Sequence, residues 1–142
     1  KALVGELDLL RTAVHLAKGC YRGQEAVARV HNLGQPPRRL TFVHLDGSGH
    51  IAPDPGTEAL AEVRGSERPV GTLTSVTVHW ELGPIGLAVV KRNLAPEAQL
   101  SFEIGDGERV IGAQETIVVP MREHESVLPA RNKDVDARSQ NR

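Results

Sequence analysis

The chain has 142 residues, of which 39% are hydrophobic and 25% charged, and its formal net charge is −1. A single domain of this size buries somewhat under about 70% of the surface its unfolded form exposes, so a real core is available and wholesale disorder is excluded. The balanced charge excludes a molecule-wide field for nucleic acid or membrane, and no stretch approaches the ~18 apolar residues of a membrane span or reads as a signal peptide, so the chain is expected to be soluble and cytoplasmic.

The sequence begins at Lys1 in the middle of an apolar–polar pattern formed by Ala2, Leu3, Val4, Leu7, Leu9 and Leu10. The expectation is therefore the C-terminal part of a longer protein, with residues 7–17 a short apolar lead-in, helical or extended, packed on what lies upstream. Residues 23–33 read as a helix. Gln24 and Glu25 occupy the first turn, where negative charge suits the helix dipole, and Ala26, Val27, Val30 and Leu33 form one face. Gly34 stands at the C-cap and Pro36-Pro37 stops the helix.

From Arg38 onward the period changes to two. Residues 40–45, 57–64, 70–80, 85–91, 98–104 and 109–119 read as strands rich in Val, Ile, Leu and Thr. Turn signals separate them: Asp46-Gly47-Ser48-Gly49, Pro53-Asp54-Pro55-Gly56, Gly65-Ser66-Glu67, Gly83-Pro84 and Gly105-Asp106-Gly107. Strict alternation puts Thr72, Thr74, Val76, Val78 and Trp80 on one face, with Leu73, Ser75, Thr77 and His79 on the other. Gly112 reads as a bulge in the last strand. Short strands without intervening helices predict a mainly β fold, a small antiparallel β-barrel preceded by one helix, because closure removes edges that short strands would expose. The expected boundaries are 1–35 for the lead-in and helix, 36–120 for the barrel and 121–142 for a polar, disordered tail.

Chemistry concentrates in the run Lys18-Gly19-Cys20-Tyr21-Arg22-Gly23-Gln24-Glu25. It holds the chain's only cysteine, which excludes an internal disulfide and cannot alone supply the thiolates of a structural zinc or iron–sulfur site. The six histidines have no paired ligand spacing, so no metal site is expected. A helix N-terminus favours a nearby anion by roughly 0.3–1 kcal/mol, less than one pK unit, so the dipole alone leaves an ordinary thiol protonated near neutrality. Lys18 and Arg22, each two residues from Cys20, add to it and make Cys20 a candidate reactive thiol. Burial as a small hydrophobe is the alternative. Tyr21 reads as an amphipathic wedge, Gly19 and Gly23 as sources of backbone freedom, and Gln24 and Glu25 as capping residues. Residues 18–39 carry five cations against Glu25 alone, whereas residues 40–120 carry five against eleven carboxylates. A basic patch suited to an anionic ligand follows, drawn from Arg22, Arg29, Arg38 and Arg39.

The signature run, with the following Ala26-Val27-Ala28-Arg29, resembles that of the YgfZ-type folate-binding proteins, relatives of the aminomethyltransferase (T protein) of the glycine cleavage system. Arg68-Pro69-Val70-Gly71-Thr72-Leu73-Thr74-Ser75 and Gly83-Pro84-Ile85-Gly86-Leu87-Ala88 resemble the C-terminal barrel common to both. The resemblance implies that residues 1–35 end a folate-binding region, with tetrahydrofolate as cofactor and its main contacts upstream. It also implies an accessory role in assembly or repair of iron–sulfur enzymes, whose assembly factors would be partners, and through them in tRNA modification. Ala17 departs from the acidic residue that often precedes the lysine, and the aspartate used by T protein would lie before Lys1. Aminomethyl transfer, the one enzymatic activity implied, is thus the alternative that needs the upstream region. A second alternative is an RNA- or anion-binding barrel, with direct nucleic-acid contact disfavoured because aromatic residues make up only 3% of the chain.

Overall fold

The computed structural model describes residues 2–34, 36–48, 51–105 and 107–118. The expected tail, 121–142, lies outside them, as does the end of the last expected strand. The lead-in is a single 3-10 turn, Val4–Glu6, followed by one helical turn, α1 (Leu10–Ala13). The signature helix is α2 (Gln24–Leu33), bracketed by Gly23 and Gly34 as the sequence predicts. Six strands follow: β1 (Arg38–Leu45), β2 (Glu58–Val63), β3 (Ser66–His79), β4 (Gly83–Lys91), β5 (Leu100–Glu103) and β6 (Arg109–Thr116).

All pairings are antiparallel and the sheet closes on itself in the order β1-β4-β3-β2-β5-β6, with β6 returning to β1. The barrel read from the period-two pattern is therefore the observed fold. Alternate residues point inward, which in β1 buries Arg39, Thr41, Val43 and Leu45 while Leu40, Phe42 and His44 stay half-buried. The core is aliphatic around one aromatic ring: Val43, Leu45, Ala59, Val70, Leu73, Ala88, Val90 and Leu100 surround Phe102.

Two departures from the expected strands have local causes. The β2–β3 turn is the two-residue Arg64-Gly65, both at positive φ (55° and 76°), between the paired Val63 and Ser66. That is the type I′ geometry whose twist matches a hairpin, so β3 starts at Ser66 rather than Val70. Pro69 is tolerated there because the register shifts beside it, setting Leu60 opposite Pro69 and Ala59 opposite Gly71. The second departure is a bulge at Thr74: Leu73 pairs with Ala88 and Ser75 with Leu87. The extra residue resets the alternation, so Val76 joins the core side with Leu73, and Ser75 and Thr77 do not.

Gly112, expected as a bulge, sits in unbroken ladders with both β1 and β5. Its lack of a side chain serves packing instead. A Cβ there would fall 2.5 Å from Val43 Cγ1 and 3.0 Å from Phe102 Cε2, closer than van der Waals contact allows.

Arg39 also departs from expectation, since it is fully buried and does not join a surface patch. Its Nη2 donates to the Leu94 carbonyl at 3.0 Å and to Gln114 Oε1 at 3.1 Å, while Gln114 Nε2 donates to the Ala95 and Ala98 carbonyls. This relay fastens the loop after β4 across the barrel's end. Nε and Nη1 of Arg39 have no hydrogen-bond partner among the described residues. Burial, and after it the charge of Arg92, lowers its pKa below the usual guanidinium value.

On the outside, Glu67 of β3 accepts from Ser101 Oγ of β5 at 2.9 Å and from Arg109 Nη1 of β6 at 2.7 Å, linking three strands. Those hydrogen bonds, Arg109's first, hold the Glu67 carboxyl below the usual carboxylate value. Its folded pKa being depressed, the ionised group stabilises the fold above the ordinary carboxylate pKa, and that contribution disappears as pH falls through the folded value. Urea denaturation of Glu67→Gln is expected to show lower stability than wild type at neutral pH and a shallower loss on acidification, the two curves converging at acid pH. Parallel curves would contradict this assignment.

Candidate functional site

Of the signature residues, Lys18 and Gly19 form a bend between α1 and α2, Cys20 and Tyr21 continue as irregular chain, and Arg22-Gly23 make the turn into α2. The path is set by backbone: Lys18 N–H donates to the His15 carbonyl at 3.4 Å, Gln24 N–H to the Tyr21 carbonyl at 3.2 Å, and Val27 N–H to the Gly23 carbonyl at 3.1 Å. Gly23 has φ +83°, a left-handed conformation open to glycine at little cost. Gly19, expected to serve the same purpose, is not among the left-handed glycines and faces open space.

Cys20 is a free, exposed thiol, so the alternative of a buried hydrophobe does not hold. Lys18 and Arg22 are also exposed, and neither forms an ion pair among the described residues. Gln24 and Glu25 do not cap the helix. No side chain caps α2, and Glu25 instead pairs with Arg29 one turn on, at 3.9 Å with both side chains mostly exposed. An exposed pair of this kind contributes a few tenths of a kcal/mol at most.

Tyr21 is half-buried and lines a solvent-open groove of about 740 Å3 with Leu3, Gln24, Ala26, Arg29 and Val30. Ala26, expected on the packed face, belongs to this groove, and the packed face of α2 is made by Val27 with Val30. Leu3 reaches the groove because the 3-10 turn is pinned beneath the helix. Gly5 lies against Pro36 and Val30, where a Cβ would come within 3.3 Å of both. Glu6, wholly buried, receives Arg38 Nε on Oε1 at 2.8 Å and Arg38 Nη2 on Oε2 at 3.2 Å, and its Oε2 also accepts the Leu3 N–H at 2.8 Å. This joint between lead-in and barrel escapes a sequence reading. Its one signal is an acidic residue within a largely apolar run that also holds Asp8.

The expected basic patch is dismantled by the same contacts. Arg38 is drawn to Glu6, Arg39 lies inside the barrel and Arg29 faces Glu25, which leaves Lys18 and Arg22 as the cations beside the thiol. Among the described residues, no group of three His, Cys, Asp or Glu side chains could hold a metal ion, and no helix is long and apolar enough to cross a membrane.

No protein-family model matches the chain. It is 32% identical over 87 residues to the tRNA-modifying protein YgfZ of Vibrio atlanticus (strain LGP32), a match covering 61% of this chain and 27% of that protein. Its fold is similar to that of the glycine cleavage system aminomethyltransferase T from Bartonella henselae, with a TM-score of 0.61 at 15% identity, over 81% of this chain and 31% of that one. At that identity the second match speaks for the fold alone. The chain thus spans about a quarter of the curated relative's length. The two matches bear out the resemblance carried by the signature run and the barrel segments: the chain is YgfZ-like in sequence and T-protein-like in fold.

Because Gly23 holds a left-handed turn directly before α2, Gly23→Ala is expected to lower stability by about 1–2 kcal/mol. Gly19→Ala, with open space and no such constraint, should stay within about 0.5 kcal/mol of wild type. Chemical denaturation monitored by helix circular dichroism measures both, and equal costs would remove the role given to Gly23.

Proposed function

We propose that this chain is the C-terminal part of a folate-binding accessory protein that sustains iron–sulfur enzymes, and through them tRNA modification, with Cys20 as its reactive thiol. The observation that carries the reading is an exposed cysteine, between two cations without ion-pair partners among the described residues, inside a run that resembles the YgfZ-type signature. Similarity to a protein named as tRNA-modifying supports the cellular end of the proposal. In this reading residues 1–35 end a folate-binding region and residues 36–120 form the barrel that supports it. The protein works in the cytoplasm beside iron–sulfur enzymes or their assembly factors.

The described residues do not by themselves fit tetrahydrofolate. The groove at α2 is open to solvent, offers one half-buried aromatic ring, and has no buried polar side chain turned toward it that would recognise a pterin. The folate site is accordingly assigned upstream, with Tyr21 and the start of α2 forming its edge.

The part played by this chain's own residues is electrostatic. Lys18 and Arg22 flank the thiol in the chain and would draw an anionic partner toward it, while Cys20 supplies the sulfur that attacks a donor or touches iron. Gly23 fixes the turn that presents the run, and exposure lets a client protein approach. Transfer of an aminomethyl group is ranked second, since its support is a shared fold at 15% identity.

Two measurements test the reading. In the folded chain iodoacetamide should alkylate Cys20 rapidly at neutral pH, and Lys18→Ala with Arg22→Ala should slow that reaction several-fold. In cells whose iron–sulfur-dependent tRNA modification requires the parent protein, Cys20→Ser should fail to restore it. Full restoration by Cys20→Ser, or an alkylation rate insensitive to the two cations, would overturn the role of the thiol.

A further inference from the structure

The antiparallel registers gather the starts of β1, β3 and β5 and the ends of β2, β4 and β6 at one end of the barrel. Arg64, Arg68, Lys91 and Arg92 lie at this end, and they are four of the five cations between residues 40 and 120. The connections at the opposite end, residues 46–57, 80–82 and 104–108, hold acidic residues and no Lys or Arg. The barrel, acidic in total, is therefore polarised, with its positive charge drawn to one mouth.

Three of these cations, Arg64, Arg68 and Lys91, line a solvent-open cavity of about 470 Å3 in that mouth. Its floor is apolar: Val70 and Leu94 belong to the core, and Val63 and Ala98 pack against it. Arg68 reaches the cavity because it stands two residues before the buried Val70 and opposite the buried Ala61, on the inward side of β3. Arg64 reaches it from the tight β2–β3 turn.

All three cations are exposed, and none forms an ion pair among the described residues. Two of them are nonetheless held at the mouth. Lys91 Nζ donates to the Pro69 carbonyl at 2.9 Å, and Arg68 Nε donates to Ser66 Oγ at 3.1 Å, which leaves the outer edge of the Arg68 guanidinium for another acceptor. Glu62 is the single carboxylate on the lining. Behind the wall, Arg39 holds the Leu94 carbonyl and adds a buried charge, whereas Arg92 has the charge of Asp8 beside it.

We propose that this mouth binds a small organic anion that carries two or more carboxylate or phosphate groups on an apolar body. Charge selects the occupant: three cations against one carboxylate reject a cation and leave a neutral ligand with no gain from the rim. Arginine forks suit the planar edge of a carboxylate or the oxygens of a phosphate, and lysine adds a point charge. The volume lies within the roughly 300–1,000 Å3 of small-molecule sites, and the aliphatic floor accepts the ligand's body. The proposal is independent of the folate reading and uses none of the signature residues.

A heteronuclear NMR titration of the 142-residue chain tests it. Trimesate, a benzene ring bearing three carboxylates, is expected to shift the Arg64, Leu94 and Ala95 amides saturably in the sub-millimolar range at low ionic strength, and to bind more weakly as salt is added. Tripolyphosphate is the second probe, and at equal ionic strength the tighter of the two identifies the anionic group that the site takes. The neutral triamide of trimesate should not bind. Arg64→Asn, which suits a left-handed position, and Arg68→Gln should each weaken trimesate binding by about five- to tenfold. Glu62→Gln should tighten it, and all three variants should melt as wild type does. No saturable shift with either anion, equal binding of the triamide, or unchanged affinity in the arginine variants would overturn the proposal.

Discussion

The buried carboxylate of Glu6 and the guanidinium of Arg38 form the contact on which the placement of everything before the barrel depends. Glu6 has no exposed surface, so its charge is tolerable only because Arg38 meets it with two hydrogen bonds and the Leu3 amide supplies a third. Removing Arg38 would strand a buried charge, a loss of about 3–5 kcal/mol for a fully enclosed pair, and less here because the Arg38 side chain is 48% exposed. Arg38 is also the first residue of β1. One ion pair therefore joins the 3-10 turn to the barrel wall, and Gly5 wedged against Val30 and Pro36 carries that attachment to α2.

The barrel serves as the rigid side of this joint. Its core is small-chain aliphatic around Phe102, and close packing at Gly112 lets β6 approach both Val43 and Phe102. Among the described residues the far half of β3, from Ser75 onward, pairs with β4 alone, and the Thr74 bulge stands where that stretch begins. The signature run depends on the opposite arrangement. It lies between α1 and α2, exposes its thiol and both flanking cations, and has Tyr21 in the wall of the groove shared with Leu3 and Val30. Rigidity in the barrel and accessibility at the signature are what the role proposed for Cys20 requires.

Much of this architecture was legible in the sequence because it arises from local physics. The shift from a helical to a two-residue period at Arg38, the Gly23 and Gly34 brackets and the glycine-containing turns locate α2 and all six strands. What the sequence concealed was decided by tertiary contacts. Arg39 looks like a surface cation, yet its position in the β1 alternation places it inside, where Leu94 and Gln114, far along the chain, receive it. Glu6 and Arg38 are 32 residues apart, and nothing local marks them as partners. Gly112 reads as a bulge until Val43 and Phe102 are seen against it. Strict alternation misassigned the faces of β3 after Leu73, because one inserted residue at Thr74 is invisible to a periodicity count. In the signature run the sequence left Cys20 open between an exposed thiol and a buried hydrophobe, and the structure exposes it, whereas capping by Gln24 and Glu25 is not realised, because α2 begins from a glycine without any side-chain cap.

The claim that the Glu6–Arg38 pair fastens the signature helix to the barrel is tested most directly by amide hydrogen exchange in Arg38→Met. Methionine preserves the strand and the aliphatic stem while removing the charge. The account predicts that amides of the Val4–Glu6 turn and of α2 lose protection while those of β5 and β6 keep theirs. Unchanged protection in α2, or an equal loss throughout the barrel, would contradict it.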